Sequence, residues 1–279
     1  MTAVATANRV DAVPLRGRSA VLLALASALG LVGFGWPLLA GPDKAHSEVL
    51  SHAGDAPWLF VALLPLLLAV VLAELSEGAL DAKAVALLGV LAAIGAVMRL
   101  PNGGMTGFEP LFFLMIPAGR VFGRGFGFVL GALTMFASAL VTAGVGPWLP
   151  FQMFGAAWVG FFAGCLPRRF HGRAEVVLLA AYGVVAGLAY GLLLNMWFWP
   201  FAISPGTGLS FVPGDALVDN LRRFWAFHLA TSLGWDIPRA FTNCVLVLAL
   251  GRPVLAALRR AERRAAFGAV AEFAEPVAS

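Results

Sequence analysis

The chain has 279 residues, of which 60% are hydrophobic and only 12% charged. A soluble domain carries about 25% charged residues to build its polar shell, so this composition excludes a sizeable water-soluble domain and points to a bilayer-embedded chain. The formal charge of +4 does not indicate nucleic acid, because the basic residues sit in short clusters between apolar runs, where the orientation signals of membrane proteins belong.

Arg9, Arg16 and Arg18 precede the first apolar segment, Ala20–Leu39. It is too long for the apolar core of a secretory signal and lacks a convincing cleavage site, so it reads as a retained helix. Seven further apolar segments follow: Trp58–Ala73, Ala84–Met98, Phe108–Ala118, Gly125–Ala143, Trp148–Leu166, Ala174–Trp199 and Ala226–Leu250. Most approach the ~20 residues needed to cross about 30 Å of hydrocarbon. The expected fold is all-α, a polytopic transmembrane helical bundle of about eight spans. The fourth segment is short enough to be re-entrant, but charge parity argues that it crosses. Lys and Arg gather on the cytoplasmic side. Arg9, Arg16 and Arg18 place the N-terminus inside, and Arg168, Arg169 and Arg173 place the loop after the sixth segment inside. An even number of crossings must separate them, which requires the fourth. Arg120 and Arg124 then also fall inside, as does the C-terminal group Arg252, Arg259, Arg260, Arg263 and Arg264. The loops Gly41–Pro57 and Pro200–Trp225 fall outside. The acidic loop Glu74–Lys83 fits least well, although acidic residues count little in this rule.

Small residues recur at helical spacing. Gly89/Ala93 and Ala92/Ala96 lie on the third segment and Gly123/Gly127/Gly131 at the start of the fifth. Such spacing lets two helices approach closely in lipid, either within one chain or against another membrane subunit. Cys165 and Cys244 lie in apolar runs without metal-type spacing and read as small packing residues.

No catalytic constellation is present: no HExxH, no GxSxG and no Walker A lysine motif. Gly119–Gly127 reads GRVFGRGFG, without the strand–turn–helix context of a nucleotide fingerprint. No cofactor or metal is expected. Polar residues inside apolar segments are informative, because they are costly in lipid and face protein or a water-filled cavity. The sharpest set is HLATSLGWDIPRAFTN, in which Asp236 and Arg239 share one helix face and Pro238 loosens the backbone between them. It reads either as an ion pair fixing helix packing or as a ligand contact. A second set is Arg99 followed by PNGGMTGFEP, with Asn102 in a turn and Glu109 needing a partner, for which Arg99 is the nearest candidate. A third is aromatic: Trp148, Trp197, Trp199, Trp225 and Trp235 fall near the outer boundary, with Gln152 and Asn195 beside them. They form either an interfacial belt or the walls of an outward-facing pocket for a flat ligand.

From Ala84 to Arg264 the chain resembles the substrate-binding S-components of energy-coupling factor (ECF) vitamin transporters. The resemblance rests on the order of RLPNGGMTGFEP, FFLMIPAGRVFGRGFGFVLGALTMFASAL, PWLPFQMFGAAWVGFFAGCLP and GWDIPRAFTN…LGRPVLAALRRAERR. It implies a six-helix core over 84–264, preceded by two additional spans in 1–83 and followed by a cytoplasmic tail, 265–279, expected to be disordered. It implies cytoplasmic termini in the plasma membrane and an extracytoplasmic pocket. The implied partners are a membrane coupling (T) subunit and two ATPase subunits, so the chain itself is a transport protein rather than an enzyme. The family's small-residue coupling motif is matched by Ala92 and Ala96. The expected ligand is a vitamin or related small organic solute, with cobalamin or a precursor suggested by the aromatic rim alone. Asn102, Glu109, Trp148, Gln152, Asn195, Trp199, Trp235, Asp236 and Arg239 are the candidate ligand contacts. Two other classes stay open at this point: a self-sufficient secondary carrier using Asp236, Arg239 and Glu109 as coupling groups, and a membrane enzyme acting on lipid or isoprenoid.

Overall fold

Inside a bilayer every backbone N–H and C=O must be satisfied within the protein, which favours helices. The computed structural model describes residues 17–39, 65, 69, 82–100, 110–202 and 207–265, and the regular structure among them is helical. The helices of more than one turn are α1 (Gly17–Leu39), α2 (Ala82–Arg99), α3 (Phe112–Phe122), α4 (Arg124–Val141), α5 (Leu149–Cys165), α6 (Arg173–Ala202), α7 (Leu217–Thr231) and α8 (Leu233–Ala265). Among the described residues, α4, α6 and α8 are long and apolar enough to cross a membrane by themselves; α1, α3 and α5 contribute shorter apolar stretches. Large apolar side chains such as Val90, Ile94, Phe162, Val185, Phe241 and Leu248 are exposed on the outside of the bundle, the surface expected of a chain solvated by lipid. The protein is a helical membrane bundle.

The expected segments map onto this bundle with three differences. The span Ala226–Leu250 is divided: α7 ends at Thr231, Ser232 intervenes, and α8 begins at Leu233. The loop Pro200–Trp225 thus contains the first part of an amphipathic helix, which buries Asn220, Phe224, Phe227 and His228 on one face. Hydropathy missed it because its other face carries Arg222, Arg223 and Asp219. At its far end α8 runs on to Ala265 through Pro253, so the arginine-rich stretch is helical. The fourth segment is observed as α3, shifted to Phe112–Phe122. The expected second span, Trp58–Ala73, and the tail beyond Ala265 lie outside the described residues.

Glycines set the closest contacts. A methyl group at Gly127 would overlap the carbonyl oxygen of Gly160, and one at Gly131 that of Ala156, so α4 and α5 pack backbone to backbone. Gly123, with φ 106°, occupies a backbone conformation that L side chains rarely adopt. It alone separates α3 from α4 and folds them into a hairpin in which Gly119 meets Gly127. The Gly127/Gly131 pattern therefore serves packing within the chain. α1 docks on α5 and α6: Gly30 lies against Phe154, Phe34 against Phe151 at 5.1 Å, and Trp158 Nε1 donates to Ser27 Oγ at 3.0 Å.

Contacts between helix ends fix the order of the bundle. The α3–α4 turn, the start of α6 and the far part of α8 meet at one end, where Arg120 and Arg259 both bond Glu175. At the opposite end Arg99, closing α2, donates to Ser138 Oγ of α4 at 2.8 Å, and Leu38 of α1 packs on the aromatic cluster around Trp199. Among the described residues, Arg120, Arg168 and Arg259, from three of the basic clusters that charge parity groups together, share one end of the molecule; Arg9 and Arg16 lie outside the described residues.

Candidate ligand-binding site

At the end opposite the arginine-rich one, α6, α7 and α8 enclose a groove of about 350 Å³. Its charged floor comes from the first turns of α8. Asp236 and Arg239 are three residues apart on one helix face, and Arg239 Nη1 lies 2.7 Å from Asp236 Oδ1 with both side chains buried. Ser232 Oγ donates to the other carboxylate oxygen at 2.7 Å. Arg239 also donates to the Gly187 carbonyl of α6 at 3.3 Å and lies over the Tyr190 ring at 5.1 Å, a cation–π geometry. α6 makes room for this pair with two glycines. A methyl group at Gly191 would overlap the Asp236 carboxylate, and one at Gly187 would meet Ala240 Cα at 3.0 Å. Any other residue at Gly191 would force the carboxylate out of place.

A second polar layer joins α6 to α7. Asn195 Nδ2 lies 3.1 Å from His228 Nδ1. An amide nitrogen can only donate, so Nδ1 accepts and the ring proton sits on Nε2, which faces Asp236 Oδ2 at 3.9 Å. Below Arg239, Asn243 donates to the Arg239 carbonyl at 2.8 Å and accepts the Phe112 N–H at 3.1 Å. That bond satisfies one of the unpaired donors at the start of α3. The polar file from Asn195 to Asn243 is thus closed toward the core and open toward the groove, whose apolar walls include Phe198, Phe227 and Trp235.

α7 is held over this end by its own packing. Phe224, Phe227, Phe211 and Trp199 form a small aromatic core, and the Asn220 amide clamps Val212 by accepting from its N–H at 3.1 Å and donating to its carbonyl at 2.8 Å. Arg223 of α7 pairs with Asp215 in the loop before the helix. That side-chain bond, aided by the Ala216 N–H, holds the Asp215 carboxyl below the usual carboxylate range.

Residues 83–251 match the family model described as ECF transporter, substrate-specific component. The chain belongs to this family. No match appears among curated proteins or among solved structures. As an ECF substrate-specific component it is a membrane transporter subunit rather than an enzyme, of a family that associates with coupling and ATPase subunits.

Of the residues the sequence singled out in this ECF component, Asn195, Trp235, Asp236 and Arg239 come together at the groove. Trp199 does not. It is fully buried, its Nε1 donates to the Leu209 carbonyl at 2.7 Å, and it packs edge-to-face against Phe211 and Phe224. Trp197 packs against Phe151 at 4.7 Å. Trp148, exposed and bonded to the Gly144 carbonyl, and half-buried Gln152 are not among the groove residues. Asn102 and Glu109 lie outside the described residues, and Arg99 is bonded to Ser138. Ala92 and Ala96 are buried within the chain's own packing, 5% and 4% exposed, whereas Gly89 and Ala93 on the same helix face outward. Sequence reasoning passed over His228, Ser232 and Asn243, although Ser232–Asp236 and Arg239–Asn243 both stand at i,i+4 spacing. It also passed over Gly187 and Gly191, which carry the same spacing on α6.

Proposed function

We propose that this ECF component captures a vitamin or related small organic solute in the groove between α6, α7 and α8. The observation that carries this reading is that the buried Asp236–Arg239 pair borders an open groove instead of being sealed in protein. A solute that donates to Asp236 and accepts from Arg239 would find both partners pre-placed, with a ring resting between Phe198, Phe227 and Trp235. Pre-placed polar groups within apolar walls are the usual composition of a small-molecule site. The volume, near the lower end of the ~300–1,000 Å³ range of such sites, favours a solute of one or two rings. Cobalamin or a precursor draws less support than the tryptophans suggest, since Trp199 and Trp197 belong to packed cores.

In this reading the chain lies in the plasma membrane with both termini cytoplasmic and the groove outside. Residues 84–264 form the transporting core, and α1 is an additional span docked against it. The membrane coupling subunit and two ATPase subunits are separate chains that drive release inside. The surface offered to the coupling subunit is the outward small-residue face at Gly89 and Ala93, a position that suits close helix contact; Ala92 and Ala96 face the wrong way for it. Binding of a vitamin panel to the purified chain, followed by tryptophan fluorescence, tests the reading. One ligand should give saturable quenching that Asp236→Asn and Arg239→Gln both abolish. Solute uptake by the chain alone in liposomes, without ATPases, would overturn it in favour of a secondary carrier.

A further inference from the structure

The end of the bundle opposite the ligand groove carries a second, unrelated concavity. It lies between the start of α6 and the last turns of α8 and measures about 310 Å³. Arg252, Arg259, Arg260 and Arg263 line it against a single acid, Glu175. That acid is already committed: Arg120 and Arg259 both bond it, at 2.8 and 2.7 Å. Arg252, Arg260 and Arg263 are exposed, so the groove holds an excess of positive charge that faces solvent. Its wall is apolar, formed by Val176, Leu255 and Ala256. Above Arg252 the surfaces of α6 and α8 present Val177 and Leu248, both exposed. The concavity therefore sits where a lipid-facing apolar surface turns into a cationic one.

Depth along the helix places that boundary. α8 begins at Leu233, and roughly 20 helical residues cover ~30 Å, so Arg252 falls where hydrocarbon gives way to headgroups. Residues 252, 259, 260 and 263 lie within one broad face of the helix, and they converge on a groove instead of spreading around the axis. A bias of Lys and Arg toward one side requires only charge; it does not require a groove with an apolar wall. Basic pockets between helices on this side of a membrane suit anionic headgroups.

We propose that this groove seats the phosphate of an anionic phospholipid, held by Arg252, Arg260 and Arg263, with its acyl chain along Val177 and Leu248. The site is distinct from the ligand groove and does not depend on the identity of the transported solute.

Native mass spectrometry of the full chain, titrated in detergent with phosphatidylglycerol, phosphatidylcholine or inorganic phosphate, tests the proposal. Phosphatidylglycerol should be retained in preference to phosphatidylcholine. The variant R252Q/R260Q/R263Q should lose roughly a hundredfold in affinity for it, while R252K/R260K/R263K should keep most of the binding, which separates lost charge from lost folding. Equal retention of phosphatidylglycerol by the glutamine variant overturns the proposal, as does equal retention of phosphatidylcholine by the wild type. Binding of inorganic phosphate as tightly as the lipid overturns the lipid source and leaves a site for soluble phosphate. If no lipid is retained but the glutamine variant fails to co-purify with the coupling subunit, the face is a protein contact and the proposal falls.

Discussion

Asp236 and Glu175 are both carboxylates at 1% side-chain exposure, each bonded to arginine, at opposite ends of the α6–α8 pair. Glu175 is reached from two other helices, by Arg120 of α3 and Arg259 of α8. Arg120 goes on to the Leu166 carbonyl at 2.8 Å and the Phe170 carbonyl at 3.3 Å, so this cluster ties α3, α6 and α8 to the α5–α6 loop. Asp236 is paired within its own helix, and Ser232 adds a bond from the residue preceding it. An ion pair three residues apart on one helix fastens few helices together; its links to other helices are the longer ones, Arg239 to the Gly187 carbonyl at 3.3 Å and the Tyr190 ring at 5.1 Å, and His228 at 3.9 Å from Asp236. The two clusters are alike in burial and composition and differ in connectivity. A carboxylate whose arginines come from two other helices is suited to holding the bundle, and one whose arginine lies on its own helix beside an open groove is free to meet a solute.

The contrast is broken most directly at Glu175. Glu175→Ala leaves two arginines without their shared partner, and removing one member of a buried pair costs about 3–5 kcal/mol. Thermal unfolding in detergent should fall further for Glu175→Ala than for Asp236→Ala, and equal losses would erase the distinction between the clusters. Next in size is the pair of small-residue faces on α2. Ala92→Leu with Ala96→Leu should destabilise the chain, because overpacking a filled interior costs about 1–3 kcal/mol per site. Gly89→Leu with Ala93→Leu should leave stability and solute binding intact and block transport in the assembled complex. Transport that survives the second pair would remove this face as the coupling contact.

Gly191→Ala acts more locally. The added methyl group overlaps the Asp236 carboxylate, so solute affinity should drop at least tenfold while the unfolding midpoint moves less than in Glu175→Ala. The reverse order would mean that Gly191 serves packing only. The smallest effect is expected in the loop before α7. Asp215 has a lowered pKa when folded, so its pairing with Arg223 contributes fully above the unfolded value of about 3.9 and is lost as pH falls through the lowered folded value. The difference in unfolding midpoint between wild type and Asp215→Asn should be small near neutral pH and vanish in acid. A difference that grows with acidity would contradict the assignment.

Long apolar runs make most of the spans legible in the sequence, because lipid demands length and hydrophobicity from each one. The Asp236–Arg239 pair is legible for the complementary reason, as charge inside such a run is expensive. α7 is not, since half its surface is polar and its burial depends on Trp199 and Phe211, which tertiary folding brings to it. The same tertiary context removes Trp199 from the candidate contacts: a tryptophan near a boundary reads alike whether it lines a pocket or fills a core. Glu175 stands at the start of an apolar segment with nothing nearby in sequence to flag it; its partners come from positions 55 and 84 residues away. The orientation of α2 is also hidden, because Gly89/Ala93 and Ala92/Ala96 carry the same spacing and only packing against α4 decides which pair is buried.

In the proposed reading, the Asp236–Arg239 pair serves a solute more than it serves the fold. Affinity for the solute identified by the vitamin panel, measured across wild type, Asp236→Ala, Arg239→Ala and the double variant, tests it most directly. Each single variant is expected to lose binding by at least tenfold while remaining folded, and the double variant should not regain it. Recovery of both binding and thermal stability in the double variant would show that the two charges matter only to each other, and that the pair is a packing element.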